Sequence, residues 1–264
     1  MAKDKRDISI FLVVLCFTIS FFILKTYNDQ MLFAEVVAFA IMGFGALLAT
    51  LHTQSDEGYY RNLTPGGLLW IAAAAIGMFV LSSLFMAFFV GNAPVSHSVL
   101  WYPTIYAQLA ETGVATSIFT LLLGEMVFQF SLVASAEELL KFAGYTEMLG
   151  RYGSKILAVA LPVGLWAGYH MLQAYQNVAL VVPAFLCGLI LIGLLEVTKN
   201  PIACIMAHGA YNTATVIVAL QANGVPLSVS WFPLAYGPGD VLLVGLAAIW
   251  IALIVLPALL DRNK

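Results

Sequence analysis

Seven side chains in the second half of the chain combine the groups that hydrolysis requires with positions in long apolar segments. The set is Glu137, Glu138, Lys141, Trp166, His170, His208 and Asn212. Peptide hydrolysis needs a base for water and donors for the tetrahedral oxyanion, and both kinds of group are present. A charged side chain at the centre of a bilayer costs roughly 2.5–3.5 kcal/mol on insertion scales. Two adjacent glutamates there favour a reaction centre over a polar contact that only joins helices.

The composition indicates that most of the chain lies in lipid. Of its 264 residues, 62% are hydrophobic and 9% are charged, whereas an ordinary soluble domain has about 25% charged residues. The chain has no stripe of basic residues of the kind that would indicate a nucleic-acid partner. Cys16, Cys187 and Cys204 are far apart and lack CxxC spacing, so we interpret them as packing residues.

Long apolar runs predict an all-α, polytopic membrane protein, because about twenty apolar residues span a bilayer as a helix. The eight predicted spans are 8–25, 31–51, 66–90, 114–149, 153–173, 178–196, 201–220 and 237–259. With the N-terminus in the cytoplasm, ten of the eleven basic residues fall on the inner side, which predicts an N-in, C-in topology. We interpret residues 1–264 as a single transmembrane domain whose catalytic core is about 114–220.

The fourth and fifth spans predict a hairpin that turns near Tyr152. Folding the chain there brings Glu137 opposite Ala167. His170 lies three residues further, roughly 4.5 Å along the helix axis. Glu137 and His170 are therefore predicted to lie at a similar depth.

The sixth and seventh spans predict a second turn before the last motif. Asn200 is a predicted N-cap and Pro201 the predicted first residue of the following helix. His208 and Asn212 are four residues apart on that helix, so they share a face. Both hairpins thus predict a site at moderate depth, nearer the cytoplasmic side.

At these residues the chain resembles the CPBP family of intramembrane proteases, which includes the Rce1-type CAAX prenyl endopeptidases and the bacterial Abi proteins. The family signature is EExxxR, then F/WxxxH, then HxxxN/D, each on a different transmembrane helix. The matching residues are Glu137 and Glu138, then Trp166 and His170, then His208 and Asn212. The resemblance implies a multi-pass cell-membrane protease whose substrate is a membrane-anchored protein or peptide, including prenylated CAAX-type substrates.

The first motif departs from this signature. The family arginine corresponds to Phe142, and Lys141 gives instead the pattern EExxK, which is similar to PrsW-type membrane proteases. PrsW-like second motifs usually end in glutamate, whereas this one ends in His170. Lys141 shares a helical face with Glu137 and Glu138, so it either neutralises one of them or snorkels to the inner boundary.

The resemblance also implies a role for each residue. Glu137 is the implied general base, His170 orients the water, and His208 with Asn212 forms the oxyanion hole. The supporting residues are Glu138, Lys141 and Trp166, with Glu138 orienting the site or holding Lys141.

Zinc is an alternative to a cofactor-free site. Glu137, His170 and His208 are residue types that bind Zn²⁺. No HExxH motif is present, and Asn212 is a poor zinc ligand, so we favour a metal-independent mechanism.

Two other function classes fit the same residues. In a transporter, buried Glu and His relay ions or protons, although no inverted repeat is visible. A non-proteolytic membrane immunity or interaction protein would keep the fold without the reaction.

Overall fold

The computed structural model describes residues 58–85, 134–173 and 181–222, the pairs 116–117 and 227–228, and scattered helical positions between residues 11 and 48. The helices with continuous bounds are α1 (Pro65–Phe85), α2 (Ser135–Tyr152), α3 (Lys155–Gln173), α4 (Val181–Thr198) and α5 (Pro201–Ala222). Strands β1 (Thr116–Ser117) and β2 (Leu227–Ser228) pair in parallel. The described part is therefore helical, as predicted, apart from this two-residue ladder.

Two of the described helices, α1 and α4, are long and apolar enough to cross a membrane. They correspond to the predicted spans 66–90 and 178–196. Helices α3 and α5 agree with the predicted spans 153–173 and 201–220 to within two residues at each end. These four elements were recognisable because long apolar runs determine membrane-compatible helices locally.

The remaining predicted spans are only partly described. Helix α2 overlaps the second half of the predicted span 114–149. The start of this prediction is wrong, because Thr116 and Ser117 form strand β1 and not a helix. The spans 8–25 and 31–51 are described only at scattered positions, all of them helical, and the span 237–259 lies outside the described residues. The eight-helix count, the N-in, C-in orientation and the single-domain interpretation therefore remain predictions.

A glycine turn joins α2 to α3. Gly153 has a φ of 64° and donates its N–H to the carbonyl of Leu149 at 2.9 Å. Glycine adopts this left-handed conformation without the steric cost of a side chain. The Ser154 hydroxyl then accepts the N–H of Leu157 at 3.4 Å, which begins α3. The hairpin predicted near Tyr152 is confirmed, and the two helices pack against each other.

A capped turn joins α4 to α5. Asn200 Oδ1 accepts the N–H of Ile202 at 2.9 Å, and Pro201 is the first helical residue, as predicted. Asn200 Nδ2 also donates to the carbonyl of Arg61 at 2.6 Å. The Arg61 N–H in turn donates to the carbonyl of Lys199 at 3.1 Å. The segment that precedes α1 is thereby tied to this turn.

The five helices enclose one apolar core. Helix α2 packs on α3, α4 packs on α1 and α3, and α5 packs on α1, α2 and α4. Met78 and Val163 are fully buried in this core. Ile156 and Leu165, in contrast, are largely exposed on α3. Exposed apolar side chains on a helix surface suit contact with lipid.

Candidate active site

The first turn of α2 carries the two adjacent glutamates. Glu137 and Glu138 are 2% and 4% exposed, so both carboxylates lie in the interior. Lys141 follows one turn later and is 2% exposed. Three buried charged groups on one helix require partners from neighbouring elements.

Helix α3 provides the first partner. Trp166 Nε1–H donates to Glu137 Oε2 at 2.7 Å. Hydrogen bonds to an ionised carboxylate are stronger than those between neutral groups. Folding the hairpin about its turn predicted Glu137 at the level of Ala167, and the contact with Trp166 confirms this level to one residue.

Helix α5 provides the second partner, His208, which contacts both glutamates. Its Nδ1 lies 2.7 Å from Glu138 Oε1, and its Nε2 lies 3.7 Å from Glu137 Oε2. An ionised carboxylate only accepts hydrogen bonds, so Nδ1 carries the hydrogen in the contact with Glu138. Glu138 thus determines the orientation of the imidazole, and Nε2 is left facing Glu137.

Lys141 completes the cluster. Its Nζ lies 2.6 Å from Glu138 Oε1 and 3.6 Å from the centre of the Trp166 ring. Lys141 and Glu138 form an ion pair, but the angles at the two atoms do not meet those of a hydrogen bond. Lys141 Nζ therefore has no hydrogen-bond partner among the described residues. A cation over an indole face is attracted by the ring, more strongly where water is excluded. With this burial, Lys141 neutralises Glu138 and does not snorkel.

The charges of this cluster can sum to zero. Glu137 and Glu138 carry two negative charges, which Lys141 and a protonated His208 would offset. The rings of Trp166 and His208 pack in a T-shaped arrangement, with ring centroids 5.6 Å apart and planes at 87°. Burying a charge is costly unless it is paired and hydrogen-bonded. Glu137, Glu138 and His208 meet both conditions, whereas Lys141 is paired without a hydrogen bond among the described residues.

The two remaining predicted catalytic residues lie on the expected helices. His170 is one turn after Trp166 on α3, and its side chain lies outside the described part of the structure. Asn212 is one turn after His208 on α5 and is half-buried. The catalytic roles of His170 and Asn212 remain predictions.

The zinc alternative depends on a side chain that is not described. Among the described residues, no group of three or more His, Cys, Asp and Glu side chains is arranged to hold a metal ion. Glu137 and His208 face each other, but the predicted third ligand is His170. Zinc binding by this set remains an untested alternative.

A polar chain beside the third motif was not predicted from the sequence. The Tyr211 hydroxyl donates to Ser82 Oγ at 3.1 Å, and Ser82 Oγ lies 3.4 Å from Cys187 Sγ. These contacts join α5, α1 and α4. Tyr211 occupies the third x of the HxxxN motif, a position at which the motif specifies no residue type. Its place three residues after His208, on the same face of the helix, is the only sequence feature that indicates a role near the site.

Comparison with protein families agrees with this site. Residues 119–214 match the family described as type II CAAX prenyl endopeptidase Rce1-like. The matched region includes all three motifs and confirms the family resemblance. It indicates a membrane protease, and the family implies a membrane-anchored substrate in a lipid bilayer. No curated protein and no solved structure matched the chain.

Proposed function

We propose that this protein is a multi-pass cell-membrane endopeptidase in which Glu137 activates water to cleave a membrane-anchored substrate. The observation that carries the proposal is the buried approach of His208 Nε2 to Glu137 Oε2, at 3.7 Å. Ionisable groups buried in membrane helices are costly and are typical of functional sites. The family match over residues 119–214 supports the same class of reaction.

The proposed reaction is a direct attack by water. Glu137 takes a proton from water as the water oxygen bonds to the substrate carbonyl carbon, which forms a tetrahedral oxyanion. Collapse of this intermediate breaks the C–N bond, and the proton on Glu137 passes to the leaving nitrogen. The products are a new carboxyl terminus and a free amine. In this proposal His170 orients the attacking water.

His208 and Asn212 are the proposed donors to the oxyanion. Because His208 Nδ1 donates to Glu138, its Nε2 can donate only when the ring is an imidazolium. The Glu138 carboxylate lies 2.7 Å from Nδ1 and holds the ring with Nε2 directed towards Glu137. Asn212, one turn later on α5, adds a neutral donor. Fixed donors of this kind lower the barrier because they need no rearrangement as the charge develops.

The proposed substrates are peptides held in or at the membrane. A prenylated CAAX-type C-terminus is one candidate, since its lipid holds the peptide in the bilayer beside the enzyme. An unmodified membrane-anchored peptide is the other. The proposed reaction uses only side chains of this protein. Whether cleavage depends on zinc is tested by adding a chelator to the assay.

The test is cleavage in liposomes. Wild type and Glu137→Gln would each meet a panel of prenylated and unmodified membrane-anchored peptides, with and without a chelator. Mass spectrometry would identify the cut bonds. We expect wild type to cleave, and we expect Glu137→Gln to lose at least about 1,000-fold because the base is removed.

Glu196→Gln is the matched control, because it neutralises a glutamate of α4 outside the cluster. We expect it to cleave like wild type. Equal cleavage by wild type and Glu137→Gln would contradict the role of Glu137. Loss of activity with the chelator, restored by Zn²⁺, would replace the metal-independent mechanism with the zinc alternative. Ion flux through the liposomes without cleavage would favour the transporter class.

A further inference from the structure

We infer that Gly188, on α4, is a positioning residue whose missing side chain lets Trp166 hold the Glu137 carboxylate. Gly188 is buried where α4 packs on α3. It lies outside all three sequence motifs. The catalytic consequence rests on the proposed function, whereas the contact between Gly188 and the indole does not.

The space beside Gly188 is too small for a side chain. A Cβ atom there would lie 2.6 Å from Val163 Cγ1 and 3.2 Å from Cε3 and Cζ3 of Trp166. Carbon atoms pack at about 3.5–4.0 Å, so a methyl group would push this surface of α3 away from α4. Val163 and Trp166 are three residues apart on one face of α3, so both would move.

The indole carries such a displacement into the site because it is a rigid ring. Its benzo edge meets Gly188, while Nε1–H on the opposite side donates to Glu137 at 2.7 Å. Its face also lies 3.6 Å from Lys141 Nζ. A shift at the benzo edge therefore moves the donor that positions the base and changes the position of the Lys141 ammonium.

Gly193 provides a matched control on the same helix. It is exposed, and a Cβ atom at this position meets nothing within 4 Å. Both Gly→Ala changes favour the helix by similar amounts, because alanine is the better helix former. Different behaviour of the two variants would therefore report the local space and not helix propensity.

The indole N–H signal of Trp166 tests the contact directly. Tryptophan would be labelled with ¹⁵N, each variant measured in detergent micelles, and the Trp166 resonance assigned with Trp166→Phe. Glu137→Gln would show how this resonance responds to a weaker acceptor. We expect Gly188→Ala to shift the Trp166 resonance and Gly193→Ala to leave it unchanged. An unmoved resonance in Gly188→Ala would overturn the inference, whether or not the protein cleaves peptides.

Cleavage kinetics test the consequence for the reaction. A misplacement of about 1 Å costs on the order of 100-fold, so we expect Gly188→Ala to lower kcat by roughly 10- to 100-fold with KM changed less than about twofold. Gly193→Ala should retain wild-type kcat. Equal kcat values for the two variants would overturn the positioning role. If wild type cleaves nothing while the resonance shifts, the proposed function fails and the contact stands.

Val163→Ala provides a second background, because it removes the atom closest to the added methyl. In Val163→Ala/Gly188→Ala the resonance and kcat should return toward wild type. The added methyl would still lie 3.2 Å from Cε3 and Cζ3 of Trp166. The Trp166 indole resonance of the double variant should therefore differ slightly from that of Val163→Ala. Identical indole resonances in these two variants would overturn the inference, and this comparison remains available if Gly188→Ala alone does not fold.

Discussion

Two glutamate–lysine pairs of this protein have the same spacing but different surroundings. On α2, Lys141 Nζ lies 2.6 Å from Glu138 Oε1, and the side chains are 2% and 4% exposed. At the end of α4, Lys199 Nζ lies 2.8 Å from Glu196 Oε2, and the side chains are 30% and 34% exposed. We call them the inner pair and the outer pair. The two pairs have similar distances and the same spacing, so they differ in burial, in hydrogen-bond alignment and in their neighbouring groups.

The outer pair is surrounded by tyrosines of two elements. Glu196 Oε1 accepts hydrogen bonds from Tyr59 at 3.1 Å and Tyr145 at 2.8 Å. Burial, followed by the charge of Glu196, raises the pKa of Tyr59, so its hydroxyl remains a donor at physiological pH. This arrangement ties the segment before α1 to α2 and α4. It is a structural junction at which water can replace a lost partner.

The inner pair has no such replacement. Glu138 is shared between Lys141 and His208, and all three side chains are buried. Burying a charge is costly unless it is paired, and replacing a buried pair by apolar groups often stabilises a protein. The inner pair is thus better explained by the geometry it imposes on His208 than by stability.

The largest expected difference is in stability. Lys141→Met leaves the Glu138 charge buried without its ammonium partner, which should lower the free energy of unfolding by about 3 kcal/mol. Lys199→Met should lower it by less than about 1 kcal/mol, because water reaches the partly exposed Glu196. Unfolding in mixed micelles would measure both. Similar losses in the two variants would show that burial does not separate the pairs, and Glu138→Gln/Lys141→Met should recover most of the inner loss.

The next largest difference is in cleavage. Glu138→Gln replaces the carboxylate that contacts His208 Nδ1 and orients its ring, and a misaligned catalytic group costs on the order of 100-fold in kcat. Glu196→Gln should leave kcat unchanged, since this carboxylate belongs to the outer pair. Peptide cleavage in liposomes would give both values. Retention of full activity by Glu138→Gln would remove the inner pair from the mechanism.

A smaller effect is expected from the indole. Trp166→Phe keeps an aromatic ring near Lys141 but removes the donor to Glu137, and a hydrogen bond to a charged group contributes about 1.5–3 kcal/mol. We expect the lower end of this range, which corresponds to a loss in kcat of about 10-fold. Tyr145→Phe, which removes a donor to the outer Glu196, is the matched variant and should cleave normally. An unchanged kcat in Trp166→Phe would mean that Glu137 is positioned by other groups.

The smallest effect is expected at the edge of the outer pair. Tyr59→Phe removes one of two hydroxyls from Glu196, and a net hydrogen bond contributes about 0.5–1.5 kcal/mol to stability. Unfolding in mixed micelles should show a loss in this range, with cleavage unchanged. A loss as large as that of Lys141→Met would show that the outer junction, although partly exposed, stabilises the fold as strongly as the inner pair.

The residues of the site can be recognised from the sequence because charged and polar groups are rare in apolar segments. Glu137, Glu138, Lys141 and His208 are predicted to act together, and the structure brings them into contact. The turns at Gly153 and Asn200 follow from local backbone chemistry. Spans beyond the described residues could not be tested in this way.

Among the described residues, the sequence by itself determined the helices, the two turns between them and the chemical types that meet, since apolar runs, caps and glycine turns act over a few residues. Tertiary structure alone decided which atoms face each other. Adjacent residues on a helix point about 100° apart, so Glu137 and Glu138 must meet different partners. The packing of α3 and α5 on α2 assigns Trp166 to Glu137 and the Nδ1 edge of His208 to Glu138. Such rotations depend on close packing between distant segments, as the space beside Gly188 shows, and no local pattern encodes them.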